Sequence, residues 1–209
     1  MYTDEVIQRI KDYQAGVITD ETVKNPNSDN WSSWNSGNAN NDWFDIFFKD
    51  VGFSQQHNVS ISGGSENSNY YAGLGYTQQD GMYNWADDVY KRYNARANLS
   101  SNLTDWMTFN FRSAFSRAET DTPHSYSGFT GSSDFSYAFF HQLGRTFPTV
   151  PLKNPDGYYS EASGVGAFKD GGRNKSTTDN IILTGEAVFK LLPGWNATFN
   201  YTYDGTYLE

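Results

Sequence analysis

Seven aromatic residues in polar, loop-like stretches are the side chains best suited to act on a ligand: Trp31, Trp34, Trp85, Tyr126, Phe129, Tyr158 and Tyr159. Such rings are rigid and partly polar, and they stack on the apolar faces of sugars. The commoner role of loop aromatics is to pack loops together or to form a belt at a membrane boundary. Phe135, Phe139, Phe140 and Leu143 recur at helical spacing and read as the buried face of a loop helix.

Other chemistry finds little support. His57, His124 and His141 are far apart and lack metal-ligand spacing. No Ser, His and Asp share a local nucleophile signature, and no two carboxylates stand out as general acid and base. Asp134, Asp156 and Asp170 lie near glycines without an EF-hand pattern. The expectation is therefore no catalytic, cofactor-binding or metal-binding residue, no cofactor, and no enzyme. Glycosylation sequons at Asn58, Asn98, Asn102, Asn196 and Asn200 read as chance, because most fall where a strand would carry polar residues anyway.

The elements that must position these aromatics are two-faced strands. In Trp195-Asn196-Ala197-Thr198-Phe199-Asn200-Tyr201-Thr202-Tyr203 the odd positions are apolar and the even ones polar. Successive side chains of a strand point to opposite faces, so this is a ribbon with one greasy and one wet side. Six such strands are expected, at about 56–63, 69–79, 90–100, 106–117, 179–191 and 195–204. Short helices are expected at 4–15 and 134–143, and a compact apolar knot at 42–48. Residues 25–42 form a polar loop and residues 118–177 a long one.

Composition narrows the class. The chain has 209 residues, 15 Lys+Arg and 24 Asp+Glu, a balance that argues against a nucleic-acid surface. It has no cysteine, so no disulfide framework or thiolate metal site is available. Aromatics reach 17% although the mean hydropathy is −0.70. No run of about 18 apolar residues exists to make a membrane helix. The first residues, Met1-Tyr2-Thr3-Asp4-Glu5, do not read as a secretory leader.

A β-sandwich and a transmembrane barrel both use two-faced strands, and three features favour the barrel. Arg92, Arg96, Arg112, Glu186 and Lys190 all sit on the polar parity, and the apolar parity is expected to be free of charge. An Arg or Lys on a lipid face costs about 2–4 kcal/mol at mid-bilayer. Strands of about 9–11 residues cross a bilayer at a tilt, against about 5–6 in an ordinary sheet. The connections alternate between short (64–68, 101–105, 192–194) and long (80–89, 118–177), as in outer-membrane barrels. On that rule residues 1–55 are an extracellular region and residues 56–209 a partial barrel. Further strands are then expected before Met1 and after Glu209. The runner-up is a soluble secreted β-sandwich that binds carbohydrate.

Several stretches, taken in order, are similar to one family. Asp42-Trp43-Phe44-Asp45 is followed by Gln56-His57-Asn58-Val59-Ser60-Ile61-Ser62-Gly63-Gly64-Ser65, then by Tyr70-Tyr71-Ala72-Gly73-Leu74-Gly75-Tyr76 with Gln79-Asp80-Gly81. Tyr90-Lys91-Arg92-Tyr93-Asn94-Ala95-Arg96-Ala97-Asn98-Leu99, Pro148-Thr149-Val150-Pro151 and Asn154-Pro155-Asp156-Gly157-Tyr158-Tyr159 continue the series. Together they resemble the early barrel of SusC-like TonB-dependent transporters (the RagA/SusC family). The resemblance implies an all-β antiparallel meander of six long strands, a slice of an outer-membrane β-barrel of about 22 strands. It also implies import of glycans or peptides, a SusD-like lid lipoprotein and TonB as partners, and contact with membrane lipid. Trp31, Trp34, Trp85, Tyr126, Phe129, Tyr158 and Tyr159 would then be candidate contacts to substrate or lid.

Overall fold

The computed structural model describes residues 4–20, 37–124 and 135–209. Six strands form one sheet in sequence order: β1 (Ser54–Gly64), β2 (Ser68–Asp80), β3 (Val89–Thr104), β4 (Met107–Pro123), β5 (Arg173–Leu192) and β6 (Trp195–Leu208). Among the described residues four α-helices accompany them: α1 (Asp4–Gln14), α2 (Trp43–Phe47), α3 (Phe135–Leu143) and α4 (Val165–Asp170). Among the described residues no helix is long and apolar enough to cross a membrane. The strands lie in one sheet rather than two packed layers, which removes the β-sandwich.

The chain divides into two compact units. The sheet unit contains residues 52–81, 89–121 and 175–209. Its neighbouring strands are antiparallel, and directly paired residues share a face. One continuous row runs Val59, Leu74, Ala95, Phe115, and the next runs Ile61, Ala72, Ala97, Ser113. On the last hairpin Ala187 meets Phe199 and Phe189 meets Ala197. The other face carries Asn58, Gly75, Asn94 and Ser116 in one row and pairs Glu186 with Asn200. A slip of one residue would exchange the faces, so the alternation pins the register. The β5–β6 turn closes over Gly194, whose φ of 83° suits glycine.

The strands outrun the apolar alternation. β3, β4 and β5 are 16, 17 and 20 residues long. The apolar pattern stops near Phe115 and Ile181, yet the backbone ladder continues, because pairing needs N–H and C=O groups and not apolar side chains. The register also corrects the expectation of a charge-free apolar parity, which Lys91 breaks within the expected strand at 90–100. Arg117 and Asp179 both fall on that parity and bind each other, Arg117 Nε to Asp179 Oδ1 at 2.8 Å and Nη2 to Oδ2 at 2.7 Å. Beyond them, Lys175 Nζ meets Asp121 Oδ2 at 3.5 Å. The apolar band ends at this paired charge, where the face turns hydrophilic.

The other unit contains residues 1–51, 82–88 and 122–174. Its core is aromatic. Asp42 caps α2 by accepting from the N–H groups of Phe44 and Asp45. The i, i+4 pair Trp43 and Phe47 then points inward and is buried. Phe47 makes edge contacts with Phe139 at 5.3 Å and Phe168 at 5.6 Å, and Tyr83 lies 5.1 Å from Phe168. Trp43 Nε1 donates to the Phe147 carbonyl at 2.9 Å, and Asn41 Nδ2 to that of Val150 at 2.8 Å. Asn84 Nδ2 donates to the carbonyls of Ile46 and Phe48, tying the 82–88 segment to the end of α2.

Candidate functional site

Two surfaces of the sheet unit and one cluster of the loop unit hold the chemistry. The first surface is the apolar band. On β4 it runs from Met107 to Phe115 and on β6 from Trp195 to Tyr203. At about 3.4 Å per residue each stretch rises roughly 27 Å along the strand. A strand tilt of about 35–45° reduces this to roughly 20 Å, near the height of the apolar belt of outer-membrane barrels. Phe199 is 67% exposed and Leu74 62%, so these side chains lie open among the described residues.

Aromatic rows edge the band. At one end His57 stacks on Tyr76 at 6.5 Å, and Tyr76 meets Tyr93 at 5.2 Å. The register continues that row to Arg117. The Tyr76 hydroxyl donates to Gln78 Oε1 at 2.7 Å, and Gln78 Nε2 donates to Asp80 Oδ1 at 2.7 Å. The ring thus lies with its apolar body on the band and its hydroxyl toward the polar end. At the other end, beside the short turns, are Trp106 and Trp195, with Trp106 stacked on Phe189 at 6.0 Å. Tyr and Trp favour such boundaries because one end is apolar and the other wet.

The opposite surface is polar. Ser100 Oγ donates to Asn110 Oδ1 at 2.6 Å, and Asn110 Nδ2 to Glu186 Oε1 at 2.8 Å. Arg112 approaches the same carboxylate at 3.8 Å. Arg92 Nε donates to Asn94 Oδ1 at 3.1 Å. Sequence reading placed Arg92, Arg112 and Glu186 on the polar parity but did not foresee the linked network, because its bonds depend on which residues meet across strands.

The cluster in the loop unit gathers two of the seven loop aromatics. Trp85 Nε1 donates to the Ile46 carbonyl at 2.8 Å, and its ring meets the edge of Tyr159 at 5.5 Å. Lys153 and Lys169 lie over the Tyr159 ring at 5.3 and 5.2 Å. Tyr158, its chain neighbour, points away and is 75% exposed. Trp31, Trp34, Tyr126 and Phe129 lie outside the described residues. The expected buried face of the loop helix holds for Leu143 and for Phe139, which is partly buried, but not for Phe140. That ring is half exposed and stacks on Phe48 at 6.0 Å, itself stacked on Phe44 at 6.0 Å. Helical spacing put Phe139 and Phe140 on one face, yet adjacent positions are 100° apart and only one reaches the core.

One titrating group in this unit escaped sequence reading. Burial pushes the Asp88 carboxyl above the ordinary carboxylate range, against the pull of Arg173 and Lys49. Tyr83 is also raised, by its own burial and then by Asp88. Among the described residues no three His, Asp or Glu converge as a metal site.

Comparison with known proteins bears on these surfaces. No family model matches the chain. Over 123 residues it is 32% identical to TonB-dependent receptor P26 of Formosa agariphila, covering 58% of this chain and 11% of that protein. Over 80 residues it is 38% identical to TonB-dependent receptor SusC of Bacteroides thetaiotaomicron, covering 38% of this chain and 8% of that one. Among solved structures, the RagAB peptide transporter matches 82% of this chain and 19% of its own, with a TM-score of 0.57 and 23% identity. The RagAB peptide importer in a closed-closed state matches 90% and 20%, with a TM-score of 0.55 and 20% identity. The chain spans about a tenth of the length of these curated relatives. In sequence it is similar to SusC-like TonB-dependent receptors, and its sheet has the fold of a slice of the barrel of the RagAB structures.

Proposed function

We propose that this chain forms part of the wall of an outer-membrane importer of glycans or peptides that works with a SusD-like lid lipoprotein and is energised through TonB. The observation that carries the reading is the uncovered apolar band, edged by Tyr and Trp rows and backed by a hydrogen-bonded polar face. Lipid would cover the band, and the polar face would line the lumen. Residues 56–209 are read as barrel, and residues 1–55, with the long connections, as extracellular. Loops on that side are where a lid and an incoming substrate would meet the barrel. Tyr158 is the described loop aromatic most open to such contact. Trp85 and Tyr159 would serve by holding its turn in place.

The test is growth and uptake by cells that make the intact receptor carrying this stretch. Loss of the receptor should abolish energy-dependent uptake of one class of oligosaccharide or peptide, and the receptor should fractionate with the outer membrane together with a lipoprotein. Recovery of the intact receptor among soluble proteins would overturn the reading.

A further inference from the structure

The apolar face of β1–β4 is not even. It holds a depression of about 420 Å³ between two rows of side chains, Val59–Leu74–Ala95–Phe115 and His57–Tyr76–Tyr93. The depression follows from Ala95, which the register sets between the larger Leu74 and Phe115. Toward the middle of the band the next row is small on three strands, with Ala72, Ala97 and Ser113. An extended chain leaving the depression that way meets no large side chain on β2–β4. Val59 and Leu74 are both exposed, so the depression opens outward.

Along β3 the chemistry of this face changes in steps. Ala95 lies in the depression, Tyr93 in the ring row and Lys91 beyond it. Each step is roughly 7 Å along the strand. Two neighbouring cations are already held, Arg117 by Asp179 and Lys175 by Asp121. Lys91 is not. Glu119 stands opposite it in the register, yet the Lys91 side chain makes no hydrogen bond or ion pair among the described residues. An ammonium on a long apolar stem, at the edge of an apolar band, is suited to a phosphate. Tyr93 presents a partly open ring one step below, and such rings stack on sugars. Glu119 is then placed to accept from sugar hydroxyls. Trough, ring and ammonium follow the order of acyl chain, sugar and phosphate in a phosphorylated glycolipid. A glycerophospholipid lacks the sugar, and a soluble sugar phosphate lacks the chain.

We propose that this depression and its rim bind a phosphorylated glycolipid of the surrounding leaflet, with an acyl chain along Ala95, a sugar against Tyr93 and a phosphate on Lys91. The inference rests on the reading of this chain as barrel wall, which turns this face to lipid and sets Lys91 at the end of the long connections.

The experiment is lipid titration of the intact receptor in mild detergent, read by native mass spectrometry. The probes are a bis-phosphorylated lipid A, the same lipid A with its phosphates removed, and phosphatidylglycerol. The phosphorylated lipid A should bind more tightly than the other two. Lys91→Gln should lower its affinity about ten-fold, the scale of one lost charged hydrogen bond, and leave the dephosphorylated form unchanged. Lys91→Arg should keep most of it. Ala95→Phe, which fills the depression, should weaken both glycolipids. Leu183→Ala, on the same face of β5, should leave binding unchanged. Equal binding of the dephosphorylated lipid A, equal or tighter binding of phosphatidylglycerol, or full affinity in Lys91→Gln or in Ala95→Phe would each overturn the proposal. The barrel reading fails separately. Recovery of the intact receptor among soluble proteins sinks that reading, whereas a membrane-inserted receptor with no preference for the phosphorylated lipid sinks only the site.

Discussion

The loop unit and the sheet unit are built from the same aromatic residues and treat them in opposite ways. In the loop unit Trp43, Phe47, Tyr83 and Phe168 are buried against one another. In the sheet unit Trp195, Phe199 and Tyr201 are each more than two-thirds exposed, and among the described residues every buried hydrophobic side chain belongs to the loop unit. The loop unit makes its own apolar environment, as water-facing structure must. The sheet unit leaves its apolar face for a surrounding that it does not itself supply. An exposed apolar area of this extent marks an interaction surface, and a bilayer is the one that matches a band about nine residues wide.

The comparison breaks most sharply in the loop core. Phe47→Ala removes a ring that touches Phe139 and Phe168 and leaves a cavity. Its expected cost is about 3–5 kcal/mol. Limited proteolysis of the intact receptor should then cut within 122–174 while the strands stay protected. Unchanged protection there would mean that the aromatic cluster does not organise the unit.

A second test sets the two faces of β6 against each other. Phe199 sits midway along the apolar stretch, with Thr198 on the opposite face. Phe199→Arg should cost about 2–4 kcal/mol in the folding equilibrium of the receptor in lipid vesicles, and Thr198→Arg should be near neutral. Equal costs would remove the assignment of the band to lipid.

The smallest effect concerns Asp88. Because burial raises its folded-state value, the folded form holds a proton that the unfolded chain has already lost. Stability from this group is therefore fully present below the ordinary carboxylate value and declines as pH rises from there through the folded value. Amide exchange across 82–88, followed from about pH 4 to pH 7 and corrected for its intrinsic rate, should reveal this local loosening. Asp88→Asn should flatten the profile. A profile that persists unchanged in Asp88→Asn would assign it to another group.

Legibility from sequence followed the reach of each interaction. The apolar parity of β1 to β6, the two-faced ribbon at 195–203 and the alternation of connection lengths were all readable, because a strand's faces repeat every two residues along the chain. Strand ends were not, because ladder pairing at Arg173–Thr178 or Ala118–Pro123 carries no apolar signal. The arginines were assigned a face, but the approach of Arg112 to Glu186 needed the pairing of distant strands. Phe140 was placed with Phe139 on local spacing alone, and only the packing around Phe47 separated them.

By itself, then, the sequence determined a series of two-faced strands, an acidic and cysteine-free composition and a resemblance to a barrel family, since each of these is local or additive. The tertiary structure decided that the strands form one sheet in order and that Arg117 and Asp179 close the apolar band as a pair. It also decided that, among the described residues, the buried hydrophobic side chains belong to the loop unit. Those outcomes depend on which residues meet across strands and loops distant in the chain, and local periodicity carries no record of such meetings.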